Sequence, residues 1–380
     1  MATGTGSSTL PATLTLGSKG DHMRAAILRN TGDLDLEVRD DITLRPTGPG
    51  EVKVRITHSG VCHSDLSAMN GTIPQPPPAV LGHEGAGIVD EIGAGVTSVV
   101  PGDHVIIAWS PPCGKCKSCV DHKQPNLCFN IMMTMGGQFR QGDDIIGSMA
   151  GTGTFAEYTL VPEPAVVKID ADIPLEVASL IGCGVMTGAG AAMNTAKVTP
   201  GSSVIVYGAG GVGISAIQGA RIAGASEIVA VDMNVNKLEE AKAFGATHSC
   251  TPDGVDSLKN SLTGGMGFDF ALECIGKPVT MRAAYDQTRR GGTCCIVGVG
   301  RMDEMVSFSA FELFFNEKIL VGSYYGGTDV RSDFHKLLRL YRAGKLDLDR
   351  MITRRIKIDE INDAMRAMER GDVVRQVIEF

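Results

Sequence analysis

The sequence predicts an α/β protein of two domains, one mostly β and one built on a doubly wound parallel sheet. Three observations predict it. Strand-length segments of alternating apolar and polar residues crowd the stretch before Ala108. A strand, a Gly-rich turn, a helix and a second strand follow one another between Ser203 and Asp232. The chain has 380 residues, more than one core usually organises, and its 48 glycines with only 5% aromatic residues suit tight turns between strands and helices.

Residues 1–22 are rich in Gly, Ser and Thr and hold no apolar block, so they read as a disordered or appended tail rather than a secretory signal. The fold is expected to open at Met23. Ala25–Leu28, Leu34–Val38 and Glu51–Ile56 alternate as half-buried strands between Gly, Pro and Asp turns, and Gly85–Ile92 and His104–Ala108 read as further strands. Asn130–Ala150 reads as a Met- and Gly-rich loop whose Met132, Met133, Met135 and Met149 either line a cavity or fill space. Thr154–Val161 alternates as a strand, and Pro174 opens a helix leading into Cys183.

The second region begins with the β-branched run Ser203–Tyr207, as in a buried parallel strand, and passes into Gly208-Ala209-Gly210-Gly211-Val212-Gly213. A helix to Ala223 and the strand Glu227–Asp232 complete the unit. Asp232 lies nineteen residues beyond Gly213, near the spacing that reaches a ribose, while the glycines admit a pyrophosphate to the helix N-terminus. A carboxylate there accepts both ribose hydroxyls and repels a 2′-phosphate, so NAD is expected over NADP. Helices at Asn236–Phe244 and Met281–Thr288 then alternate with strands at Phe268–Glu273, Thr293–Val297 and Ile319–Val321. The end of the chain, with a helix at Val330–Ala343 and a strand at Val374–Phe380, carries no Gly-rich turn and is free to return to the first domain.

Two uncharged runs, Val177–Ala196 and Gly201–Ala220, are full of Gly and small polar residues and fit strand–turn–helix units better than membrane spans. Net charge is -8 with no basic run, which indicates no nucleic-acid footprint. Ten cysteines in a chain of this size point to metal binding in a reducing cytoplasm, not to a disulfide framework.

Cys113, Cys116 and Cys119 are each separated by two residues, and eight residues separate Cys119 from Cys128. Four thiolates so close can fill a tetrahedral zinc shell and leave no position for substrate, as in a structural site; the alternative is four free or redox-active thiols. Lys115, Lys117 and Lys123 would offset the surplus negative charge. Cys62, followed by His63, Ser64 and Asp65, and His83, followed by Glu84, flank a loop with Pro74, Pro76, Pro77 and Pro78. Cysteine and histidine with a third ligand and an open position make a catalytic zinc set, for which Cys183 is the candidate third ligand. Taken singly, Cys62 and His83 also read as a core cysteine and a hydrogen-bonded histidine.

These motifs, with Gly182-Cys183-Gly184 and Val374-Arg375, resemble the zinc-dependent medium-chain alcohol dehydrogenases from Met23 to Phe380. The resemblance implies a GroES-like catalytic domain (residues 23–184 and 325–380), a Rossmann NAD-binding domain (residues 185–324), zinc at both cysteine sites, and a homodimer or homotetramer. It implies that Cys62, His83 and Cys183 hold the catalytic zinc, Asp65 orients His83, Glu84 stands behind the metal, and Ser64 takes the substrate proton. It also implies that His63, Thr187, Lys237, Val297, Val299 and Arg375 join the Gly-rich turn in binding NAD, and that Trp109 lines the substrate pocket. The implied reaction moves a hydride between a primary or aryl alcohol and NAD. Ser67 stands where the family often ends its proton relay with a histidine, which leaves the last step to a water. No acidic or arginine residue marks the glutathione-adduct branch, so that substrate is not expected. Polyol or thiol-adduct oxidation, and a non-catalytic zinc- and NAD-binding redox sensor, are the alternatives.

Overall fold

A computed structural model of the chain describes residues 22–130 and 136–380. Its backbone separates into three β arrangements. Met23–Leu28, Glu37–Leu44, Phe139–Gln141, Asp144–Ser148 and Ala79–Val80 close a small barrel. A seven-stranded sheet runs through Val166–Ile169, His104–Ile107, Glu84–Ile92, Glu51–Val61, Arg375–Glu379 and Ile352–Ile356, with Tyr158–Pro162 also paired to Glu51–Val61. The third is a six-stranded parallel sheet in the order His248–Cys250, Glu227–Val231, Ser203–Tyr207, Phe268–Glu273, Thr288–Ile296 and Ile319–Gly322.

That third order is the doubly wound one. The chain starts at a central strand, steps outward to one edge, then returns to the centre and steps to the other. Ligands bind where such a sheet reverses, here between Ser203–Tyr207 and Phe268–Glu273. Ser203–Tyr207 shows why these residues make a central strand. Val204 and Val206 enter the core on one face, and Ile205 and Tyr207 enter it on the other. A strand buried on both faces cannot alternate with polar residues. Each such aliphatic side chain contributes about 1.5–3 kcal/mol by leaving water.

The expected return of the chain is made by Arg375–Glu379, which pairs antiparallel with the end of Glu51–Val61. This places Arg375 beside the segment leading into Cys62.

Several expectations are corrected. The strand expected at Leu34–Val38 begins at Glu37, and Leu34 is 89% exposed in the preceding turn. Val177–Ala196 is no strand–turn–helix unit. It lies in one helical run, Leu175–Thr195, with π-turns at Ile181–Val185 and Ala191–Thr195, and is largely buried inside the fold. Its glycines serve close packing, not turning: a Cβ on Gly188 would strike the Val212 carbonyl of the neighbouring helix. Part of the loop expected at Asn130–Ala150 is a hairpin, Phe139–Gln141 with Asp144–Ser148. Met149 is buried in a hydrophobic cluster, while Met132, Met133 and Met135 lie outside the described residues, as do residues 1–21 of the expected tail. The strand expected from Thr154 starts at Tyr158, because Thr154 and Phe155 instead donate their N–H groups to Gly82 and Leu81. The helix Ile361–Arg370 and the strand Ile352–Ile356 went unread.

Candidate active site

Three distant segments converge at the ends of two interior strands of the seven-stranded sheet, Glu51–Val61 and Glu84–Ile92. Cys62 ends one strand, His83 follows the proline-rich loop, and Cys183 lies on the first π-turn of the long helix. One ligand atom from each of Cys62, His83, Cys183 and Glu84 lies within 4.8 Å of the other three, and all four residues are buried. Asp65 organises the group. Its carboxylate accepts the Cys62 N–H at 2.9 Å and the Gly82 N–H at 3.1 Å, and meets His83 Nδ1 at 3.1 Å. That contact fixes the ring and leaves His83 Nε2 buried without a partner. An unsatisfied buried nitrogen costs about 1–3 kcal/mol, which a bound metal would recover.

The two sulfurs and the ring are electrostatically coupled. Hydrogen bonding from Cys183 holds the Cys62 thiol well below its usual range, with His83 adding to it against the cost of burial. The same contact, with burial, pushes Cys183 well up, so one negative charge is shared between two sulfurs. Burial pulls His83 down, but Asp65 and Cys62 outweigh it and hold the imidazole well above its usual value.

Glu84 lies behind the sulfurs. It takes the Gly184 N–H at 2.9 Å and pairs with the Arg375 guanidinium, with both side chains buried. Burial pushes the Glu84 carboxyl up to about 8 against the pull of Arg375. Gly60 and Gly184, near the two cysteines, make room for this pair. A Cβ on Gly184 would lie 2.9 Å from Arg375 Nη1, and one on Gly60 would strike Glu84.

The second cluster is near the surface. Cys113, Cys116, Cys119 and Cys128 bring their sulfurs within 4.8 Å of one another, with only Cys128 buried. Backbone N–H groups point at the sulfurs: Cys113 N–H to Cys128 Sγ and Cys116 N–H to Cys113 Sγ, each at 3.3 Å. Such donors, led by the Lys115 N–H, lower the Cys113 thiol to about 6, whereas burial raises Cys119 to about 12.

At the reversal of the parallel sheet, Gly213 comes so close to the Gly208 carbonyl that any side chain would collide, while nothing lies within 4 Å of a Cβ on Gly210. Backbone packs one side of the turn and the other is open. The Asp232 carboxylate accepts the Ala209 N–H at 2.8 Å and the Asn234 N–H at 2.9 Å.

Residues 48–171 match the family described as alcohol dehydrogenase GroES-like domain, and residues 211–343 match zinc-binding dehydrogenase. An S-(hydroxymethyl)glutathione dehydrogenase from Escherichia coli O1:K1 is 40% identical over 353 residues, spanning 90% of this chain and 95% of the relative. The chain belongs to the zinc-dependent medium-chain alcohol dehydrogenases. Among solved structures, benzyl alcohol dehydrogenase from Acinetobacter calcoaceticus superposes with a TM-score of 0.87 at 34% identity, over 94% of this chain and 99% of that one. A zinc-binding dehydrogenase from Sinorhizobium meliloti bound to NADP superposes with a TM-score of 0.78 at 27% identity, over 94% and 99%.

The cofactors of this dehydrogenase family are zinc and a nicotinamide dinucleotide, and the chain has places that fit both. The orphaned His83 Nε2 beside two thiols is a nitrogen–sulfur donor set with room for a further ligand. The four-cysteine lobe offers a closed set. The open side of Gly210 and the N-terminus of the helix Gly211–Ile222 form a cradle for a diphosphate.

The other sequence-predicted residues are spread around these features. His63 is exposed, Ser64 is half-buried with Oγ 3.7 Å from Cys62 Sγ, and Ser67 is buried. Thr187 is half-buried on the long helix. Lys237 leans toward Gly371, Val297 is buried, and Val299 is 55% exposed. Arg375 is turned inward to Glu84, with its stem against Gly211. Trp109 stands edge-on to His83, ring centres 6.5 Å apart.

The sequence reading missed two aromatics at Trp109: Tyr324, with ring centres 5.3 Å apart, and Tyr325, at 4.5 Å. Tyr325 is buried, donates to the Gly182 carbonyl, and has a left-handed backbone at φ 55°, strain worth about 1 kcal/mol or more. The available signal was the Tyr-Tyr-Gly-Gly run, since Gly326 and Gly327 continue that left-handed turn.

Proposed function

We propose that this dehydrogenase oxidises primary or aryl alcohols to aldehydes with NAD, or runs the reverse reaction. The observation that carries this is the buried Cys62–His83–Cys183 cluster with the Trp109 ring against His83. Cys62, His83 and Cys183 would hold the catalytic zinc, and Cys113, Cys116, Cys119 and Cys128 the structural one. When bound, zinc supplies a Lewis acid that favours ionisation of an alcohol, and the dinucleotide supplies the hydride acceptor. Asp65 keeps His83 in the tautomer that presents Nε2. Ser64, half-buried beside Cys62, would accept the substrate hydroxyl proton while its own hydroxyl proton passes on toward solvent. With Ser67 buried, the exposed titratable group on this helix is His63. Glu84 and Arg375 hold one another behind the sulfurs. Trp109 and Tyr324 shape an apolar wall that suits a ring or short chain.

Asp232 supports NAD. Both of its carboxylate oxygens are oriented by backbone N–H groups, which fixes negative charge where a 2′-phosphate would approach. Replacing Asp232 with Gly is expected to raise relative use of NADP by about tenfold or more, measured as the ratio of kcat/KM for the two cofactors. An unchanged ratio would place Asp232 away from the ribose.

A second reading has one specific support. The 40% identical relatives named S-(hydroxymethyl)glutathione dehydrogenase return a thiol adduct to consideration, although no acidic or arginine residue marks it in the sequence. A steady-state screen of primary, branched and aromatic alcohols, S-(hydroxymethyl)glutathione and aldehydes, with zinc counted per chain, decides between the readings. NAD binding with no turnover on any of them would leave only the sensor reading.

The partner we propose is a second copy of this chain. Ile319–Gly322 is an edge strand with Ile319 57% and Leu320 42% exposed, beside Phe311 and Phe314 of the helix Ala310–Asn316. An apolar, unpaired edge invites strand addition. Light scattering giving a monomer at micromolar concentration would contradict it. Ten unbridged cysteines suit a reducing cytoplasm.

A further inference from the structure

The four-cysteine lobe and the aromatic wall are parts of one segment. Trp109 and the buried Ser110 lead through Pro111 and Pro112 directly into Cys113. Beyond that root the lobe faces the start of the helix Val330–Arg342. A cavity of about 370 Å³ separates it from the start of the helix Val330–Arg342, bounded by Gly114, Cys119, Lys123, Pro125 and Arg331. Beside this gap, Asn126 reaches across. It lies in the turn Pro125–Leu127, two residues before Cys128, and its Nδ2 donates to the Tyr324 carbonyl at 3.2 Å.

The rest of that aromatic loop is tied from the opposite side. Thr195 meets Ser323 at 2.9 Å, Asn194 donates to the Gly326 carbonyl at 3.3 Å, and Tyr325 donates to Gly182. These ties hold Ser323, Tyr325 and Gly326. Among the described residues, Asn126 is the side chain that reaches the Tyr324 backbone, whose carbonyl also takes the Gly327 N–H at 3.1 Å, and Tyr324 is 43% exposed.

We infer that Asn126 is a positioning residue for the substrate pocket: from the cysteine lobe it holds the Tyr324 backbone, and so sets how the Tyr324 ring closes on Trp109. The lobe thereby tunes selectivity between aromatic and short aliphatic alcohols, beyond bracing the fold. This rests on the reading of Trp109 and Tyr324 as the substrate wall.

The chain's single tryptophan is Trp109, so its emission reports this contact directly. In the zinc-loaded enzyme, Asn126→Ala, and Asn126→Asp, which keeps the shape but loses the donor, should each raise KM for benzyl alcohol relative to ethanol by roughly two- to tenfold, the reach of one hydrogen bond. kcat should stay near wild type, and Trp109 emission should move to longer wavelength with easier acrylamide quenching. Wild-type KM ratios and emission in both variants overturn the inference, as does a change that appears only with loss of a zinc equivalent. Tyr324→Leu separates the two ideas. If it leaves the KM ratio unchanged, the wall reading fails; if it shifts the ratio while both Asn126 variants do not, the positioning role alone fails.

Discussion

The Cys113–Cys128 cluster takes four sulfurs from one short surface stretch, whereas Cys62, His83 and Cys183 come from three remote segments and meet in the interior. In the first cluster, nearby backbone N–H groups receive the sulfurs, and little else of the fold is required. In the second, the supports cross between segments: Asp65 of the Cys62 segment holds the His83 ring, Glu84 beside His83 takes the Gly184 N–H, and Arg375 comes from the last strand. The difference teaches where reactivity is to be found. The closed, local set would hold a metal without leaving a position free, while the remote set is buried and has one ring nitrogen without a partner.

The largest expected effect separates the two outright. Cys62→Ala should lower kcat/KM by about a thousandfold or more, the scale of losing a Lewis acid worth several kcal/mol. Zinc should fall by one equivalent, with the lobe still loaded. Near-normal turnover would break the comparison. Asp65→Asn weakens support without removing a ligand. It should cut metal affinity at the buried site by about 10- to 100-fold in a chelator competition and leave the lobe's affinity alone. Equal loss at both sites would mean that Asp65 acts on the whole fold.

The smallest effect on turnover comes from the lobe. Cys119→Ser should release the other zinc and lower the melting temperature by about 5–10 °C, at 2–4 °C per kcal/mol. The folded fraction should keep kcat within about tenfold. A loss as deep as that of Cys62→Ala would show that the two sites are not separate in role.

Legibility in the sequence follows the same division. The lobe was readable because its spacing is itself the geometry, and the Gly-rich turn because strand, turn, helix and acid are contiguous. The meeting of Cys62 with Cys183 was not derivable from spacing; it rested on resemblance. Asp65 and Glu84 took their roles the same way, and only the fold shows one holding the His83 ring and the other pairing with Arg375. The Leu175–Thr195 helix was misread because its glycines look like turn residues, whereas they admit a neighbouring backbone. Tyr324 was invisible because a loop's side-chain direction is fixed by what it packs against, here Trp109 and the lobe.

Arg375 belongs to a strand of the mixed sheet, yet its stem lies on Gly211, at the head of the first helix of the parallel sheet, and its guanidinium grips Glu84. This side chain, only a few bonds long, is therefore one link between two halves that also share a continuous hydrophobic core. Charge arriving at the head of that helix would be felt, through one guanidinium, at the carboxylate behind the sulfurs.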